Sequence, residues 1–354
     1  MADSPASASS TRGESRVIYG ALAGAGLGAV VGLAVVAGNP HLRVSGPGSF
    51  GLAAACTTGV VAAVVSARGY VLSRAMRGQE WRGGLTTATR AVATAAVVIA
   101  HTAMAFLGTY ALFVVLSKAV IGMRVHAFFG AVLMALAVAV TTYMVARSVA
   151  RTTTQRMTSL LMSFVVVGTL TSAVTTSDPL WWTVHFSQLG TYGDLSSWIF
   201  NGTLVAGGLL VATFAVYLAH DMSALVASGT LTNPAAPATV PRLFVIMGVM
   251  LAIVGVVPVD VSFAVHSAAA SGMAVVFLIL LARGRALVAG LPAGYFTAAW
   301  VFLGATVCGV ALFLGRALSV TAFEVTVFGL IFGWIAVFIG FLGTASDTET
   351  AQLR

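Results

Sequence analysis

Residues 125–146, VHAFFGAVLMALAVAVTTYMVA, run for twenty-two positions without a Lys, Arg, Asp or Glu side chain. A helix of roughly 20 such residues matches a hydrocarbon core about 30 Å thick. Nine further stretches are similarly apolar, at 17–38, 49–67, 91–117, 157–176, 196–219, 243–259, 262–282, 293–315 and 320–343, the last holding one charged residue, Glu324. Charged residues make up 8% of the chain and apolar ones 59%, with a mean hydropathy of +1.00. No water-soluble domain could bury that much apolar surface, so the reading is an all-α, polytopic integral membrane protein with ten transmembrane helices.

The ends of these stretches carry the charge. If the N-terminus is cytoplasmic, that side collects Arg12, Arg16, Arg68, Arg74, Arg77, Arg82, Arg90, Arg147, Arg151, Arg156, Arg242, Arg283, Arg285 and Arg354. The opposite side holds Arg43, Lys118, Arg124 and Arg316. All the loops are short enough for the positive-inside rule to set orientation, so both termini are expected inside. The localisation expected is a cell membrane. An odd number of spans would mix the two groups. The net charge of +8 is not a nucleic-acid footprint, because the arginines fall singly or in small groups at span ends. One lysine against seventeen arginines points to a high-GC genome.

Residues 1–16 are rich in Ser and Ala and read as a disordered cytoplasmic tail, with a second short tail at 344–354. The run 17–38 exceeds a signal-peptide core of about 7–15 residues and lacks a small-x-small exit, so it reads as a retained span. Cys56 and Cys308 lie inside apolar stretches and read as packing residues, with no disulfide framework. Gly24, Gly26, Gly28 and Gly32 in the first span, and Gly329 and Gly333 in the last, suit close helix approach. Trp81, Trp181, Trp182 and Trp198 fall near span ends, where indole rings anchor at the headgroup level. Two units are expected, a four-helix unit at 17–150 and a six-helix domain at 157–343, divided at the basic loop Arg147–Arg156. The two show no repeat that would support an inverted-repeat transporter plan.

Nearly all the polar side chains of interest are in the second unit. Ser177-Asp178-Pro179 has the form of a helix start, with Asp178 as cap and Pro179 at the first helical position. The run then ends at Gly190, a C-terminal stop, so a short interfacial helix is expected over 178–190. On it Trp182, His185 and Leu189 share a face. His185 reads either as a headgroup-level imidazole or as a ligand or proton carrier. Span six opens with Asp194, Ser197 and Asn201 on one face, continued by Gly208. Asp194 suits a cap. Asn201 lies inside the apolar region, where an amide facing lipid is costly, so it must face protein or a wet cavity. Asp260 and His266 sit at the mouth of spans seven and eight, on the same side as His185 and Asp194. They suit proton exchange, metal ligation or headgroup binding, or a quiet mutual pairing. Thr321-Ala-Phe-Glu324 fits a capping box at the start of span ten.

No His-Glu-x-x-His, nucleotide-binding glycine loop, nucleophile elbow or haem Cys pair occurs, so neither a metal nor a cofactor is assigned. His101 and His266 sit at opposite depths, which removes a bis-histidine haem.

The pieces Ser187-Gln-Leu-Gly190, Trp198-Ile-Phe-Asn201-Gly202 and Gly255-Val-Val-Pro258, followed by His266, resemble the bacterial membrane-protein family catalogued as domain of unknown function 998. The resemblance covers 157–343 and implies a six-span helical domain in which Gly190, Asn201, Pro258 and His266 form one shared feature. It brings no activity with it.

Three functional classes fit these residues. The first is a transporter or lipid-handling protein with an outward-facing polar cavity in helices five to eight. The candidate lining is Asn201, Asp260, His266, His185 and Asp194, and the expected partners are membrane lipids and a small polar solute or lipid headgroup. The second is a non-catalytic membrane scaffold. The third is a metal-assisted, membrane-embedded hydrolase, which needs a third strong ligand from His185, Asp194 or Glu324.

Overall fold

The computed structural model describes residues 5–38, 42–76, 78–150 and 152–352, with side chains described from residue 14 to residue 345 apart from the same gaps. The side chains of Arg12, Arg77, Arg151 and Arg354, which entered the charge argument, lie outside the described residues. The helices are α1 (Pro5–Ala37), α2 (Phe50–Leu72), α3 (Thr87–Ala119), α4 (Ala127–Ala150), α5 (Thr154–Thr175), α6 (Leu195–Ala227), α7 (Ala236–Val256), α8 (Phe263–Ala282), the short α9 (Gly284–Leu287), α10 (Ala293–Leu314) and α11 (Val320–Gln352). Ten of them are long and apolar enough to cross a membrane. The protein is a multi-pass helical membrane protein. Two expectations are corrected at the ends. α1 begins at Pro5, inside the stretch read as a disordered tail, and α11 runs through the expected C-terminal tail to Gln352. Ala, Ser and Glu there tolerate helix well enough for the adjoining span to propagate into them.

The chain divides into two compact units, Met1–Thr152 and Thr153–Arg354. In the first, α1 packs along α4, and α2 packs on both α3 and α4. The α1–α4 approach is set by glycine. A Cβ at Gly28 would lie 2.6 Å from the Met134 carbonyl oxygen, and one at Gly32 2.7 Å from that of Gly130. Gly24 meets Thr142, whereas Gly26 faces open space, as the spacing i, i+4, i+8 requires. A two-residue antiparallel pair, Leu42–Arg43 with Arg124–Val125, ties the α1–α2 and α3–α4 connections together. Phe50 and Phe113 meet edge to face at 5.5 Å beneath it. His101 bridges helices, with Nδ1 on the Val97 carbonyl at 2.7 Å and Nε2 on Ser148 Oγ at 2.9 Å. Arg82, expected as a loop charge, is instead buried. It donates to Ser73 Oγ at 2.9 Å and to the Tyr70 carbonyl at 3.1 Å, with its guanidinium 3.9 Å from the Tyr70 ring.

In the second unit α6 is the central span, packed between α5 and α7, while α8, α10 and α11 complete the bundle and α11 returns to α5. α6 and α7 cross at glycines, since a Cβ at Gly248 would lie 2.7 Å from the Gly208 carbonyl oxygen. The core is aromatic: Phe214 meets Phe244 edge to face, Phe244, Trp334 and Phe338 stack on one another, and Phe277 lies edge to face on Trp334. Cys56 and Cys308, read as packing residues, are both exposed on their helix faces. In a lipid solvent an exposed thiol costs little, so burial is not forced on it.

Candidate functional site

The connection from α5 to α6 folds back into the second unit. The continuous helix expected over 178–190 does not form. Two short 3-10 turns, Trp181–Thr183 and Phe186–Gly190, are separated by His185, whose backbone is extended at φ −161 and ψ 162. Asp178 does not start a long helix. Its carboxylate accepts from Leu180 N at 2.8 Å and from the Tyr192 hydroxyl, and these bonds hold its pKa below the ordinary value. The face expected to join Trp182, His185 and Leu189 is lost as well, because Trp182 is exposed and Leu189 fully buried.

Tertiary contacts break the helix. The Phe186 ring packs edge to face on Phe200 at 5.3 Å and also contacts Trp181 and Phe328. The Phe186 N–H donates to Glu324 Oε2 of α11 at 2.5 Å. Glu324 is therefore not the reciprocal member of a capping box. The start of α11 is capped by Ser319 Oγ, which accepts from Ala322 N at 3.2 Å.

Two of the sequence candidates hold the same short segment. Asn201 Nδ2 donates to the Gly190 carbonyl at 2.9 Å. Gly190 is needed there, since a Cβ would lie 2.5 Å from Asn201 Oδ1. Behind Asn201, its own carbonyl oxygen sits 2.6 Å from where a Cβ on Gly255 would be, so α7 closes on α6 at that level. His266 is 5% exposed. Its Nδ1 lies 2.9 Å from the Val257 carbonyl and its Nε2 3.1 Å from Ser187 Oγ. A carbonyl can only accept, so Nδ1 carries a proton toward Val257, while Nε2 shares the second hydrogen bond with the Ser187 hydroxyl. Polar groups from α6, α8 and α11 thus converge on Phe186–Gly190.

His185 joins the cluster differently. Its Nδ1 is buried and has no hydrogen-bond partner. Burial lowers its pKa, and the proximity of a second imidazole, that of His266, lowers it further.

The other two candidates lie apart from this contact. Asp194 caps α6, accepting from Ser197 N at 3.0 Å, Ser196 Oγ at 2.7 Å, Ser177 Oγ at 2.9 Å and Ser197 Oγ at 3.0 Å. Burial raises its pKa, but these four bonds together outweigh it and hold the group at about 2. Asp260 is exposed and makes no hydrogen bond or ion pair among the described residues. No three His, Cys, Asp or Glu side chains among the described residues come together so as to hold a metal ion. The third ligand needed for metal-assisted hydrolysis is not assembled.

Sequence reasoning missed Glu324 as a partner of the connection and Ser187 as a partner of His266. A lone acid inside an apolar span was the available signal for Glu324, and a plausible local cap absorbed it. Comparison with family models, curated proteins and solved structures finds no match.

Proposed function

We propose that this protein is a transporter or lipid-handling protein in which Trp181–Thr191 is a plug seated on a polar socket of the second unit. The socket is built from Asn201, His266 and Glu324. On this reading both termini are cytoplasmic, the socket faces outward across a cell membrane, and a small polar solute or lipid headgroup takes the place of the plug. The resemblance to domain of unknown function 998 belongs to the same proposal, as does a bacterial source.

One observation supports this reading above the others. Three helices each spend a polar side chain on the same short segment, two on its backbone and one on the Ser187 hydroxyl, at a depth where apolar residues cost less, and on that segment a buried imidazole nitrogen has no partner. Buried polar groups are nearly always satisfied, and displacement of the plug, which carries His185, would free that nitrogen to meet a ligand or water. The scaffold reading draws its support from Asn201 and His266, whose hydrogen bonds are met within the chain.

A thermal-shift screen of the purified protein against polar solutes and soluble headgroup analogues tests the proposal. A compound that stabilises the wild type, but not Asn201→Leu or His266→Leu variants that still insert, supports it. Variants that lose stability, while no compound class shifts the wild type, would favour the scaffold.

A further inference from the structure

The opposite end of the second unit carries an open cleft of about 460 Å³, lined by Arg285, Gly290, Leu291, Phe296, Thr297 and Trp300 among others. We infer that this cleft is a binding site for an anionic phospholipid, with Arg285 on the phosphodiester and the glycerol and upper acyl chain along the α10 wall.

α8 ends at Ala282 and α10 begins at Ala293, so the cleft lies where spans leave the hydrocarbon and headgroups begin. Trp300 is seven residues into α10, about 10 Å below its start at 1.5 Å per residue. That exceeds the interfacial layer, about 5–8 Å per leaflet. The cleft therefore reaches from the headgroup level into the upper acyl region, a depth profile that fits a lipid better than a free anion.

Arg285 is exposed, and its guanidinium lies 5.9 Å from the centre of the Phe296 ring. No carboxylate among the described residues pairs with it, and Arg242 and Arg283, at the same end of the unit, add charge of the same sign. A guanidinium presents a planar fork of donors that suits two phosphate oxygens at once, and its ring contact fixes its direction.

α10 is the least buried of the ten spans, with 17% of its apolar window buried against 61% for α6. Trp300 is 57% exposed on it. Phe296 and Trp300, four residues apart on α10, thus offer an apolar surface beside the cation.

The test is native mass spectrometry of the full chain, titrated in detergent with phosphatidylglycerol or phosphatidylcholine of matched chains. The expected result is preferential retention of phosphatidylglycerol, with Arg285→Gln weakening it about tenfold, the scale of one charge-assisted hydrogen bond. Arg283→Gln, which removes the same charge outside the cleft, should change it less than about twofold. Trp300→Ala leaves the cation in place and should also weaken retention, which keeps the proposal testable if Arg285→Gln fails to insert. Equal retention of both lipids would overturn the proposal, as would equal losses in the two arginine variants. Displacement of the lipid by millimolar inorganic phosphate or glycerophosphate would overturn it too, by marking a free-anion site.

Discussion

His266→Leu combined with Ser187→Ala gives the sharpest energetic test of the socket. His266 makes two hydrogen bonds, to the Val257 carbonyl at 2.9 Å and to Ser187 Oγ at 3.1 Å. Side-chain hydrogen bonds inside membrane proteins average about 0.6 kcal/mol, with a maximum near 1.7. Loss of both costs about 1.2 kcal/mol on that average, and leucine returns part of it through apolar packing. Ser187→Ala removes only the second bond, for about 0.6 kcal/mol. The double variant should then be destabilised less than the sum of the singles, with a coupling of about 0.6 kcal/mol, whereas His266→Leu with Asp260→Asn should be additive. The assay is reversible unfolding in mixed micelles, read by tryptophan fluorescence. A His266–Ser187 coupling indistinguishable from zero would refute the socket geometry. A His266–Asp260 coupling of similar size would restore the direct acid–histidine pairing considered from the sequence.

In the first unit, Gly28→Ala places a methyl 2.6 Å from a backbone oxygen and should destabilise by about 1–3 kcal/mol through overpacking. Gly26→Ala, facing open space, should be neutral or slightly stabilising in the same unfolding assay. Gly190→Ala should push Asn201 off the plug, raising protease cleavage within 181–191 while the helical circular dichroism stays unchanged. Asp194 has a folded pKa of about 2, below its ordinary 3.8, so its contribution is present above pH about 4 and lost as pH falls through about 2. Asp194→Ala should remove about 1 kcal/mol of α6 capping at neutral pH and should abolish that acid-range loss of stability in a pH series.

The helices were legible because the bilayer imposes one period and one length. Ten runs almost free of charge gave ten spans, and the division between Thr152 and Thr153 falls in the basic loop that the arginines had marked. Of the four glycines singled out in α1, Gly24, Gly28 and Gly32 lie at the contact and Gly26 faces open space, a distinction that helical spacing makes and composition does not. The plug was not legible. Asp178, Pro179 and Gly190 are sound local signals for a helix, and they lost to two distant contacts: the Phe186 ring among Phe200 and Phe328, and its N–H on Glu324, 138 residues away. Pattern reading has no access to pairings at that separation. It also offered a sufficient local role for Glu324, which hid the non-local one. Asn201 and His266 could be singled out because an amide and an imidazole inside apolar spans need partners. Their partners proved to be Gly190 and Ser187, not Asp260.

The account stands most directly on hydrogen–deuterium exchange across Trp181–Thr191, in the wild type and in Glu324→Ala and His266→Leu, reconstituted in lipid nanodiscs. A plug seated by a polar socket requires slow exchange at the Phe186 amide in the wild type. It also requires fast exchange there in both variants, while α6, α8 and α11 keep their protection. Fast exchange at Phe186 in the wild type, or protection that survives both substitutions, would contradict it.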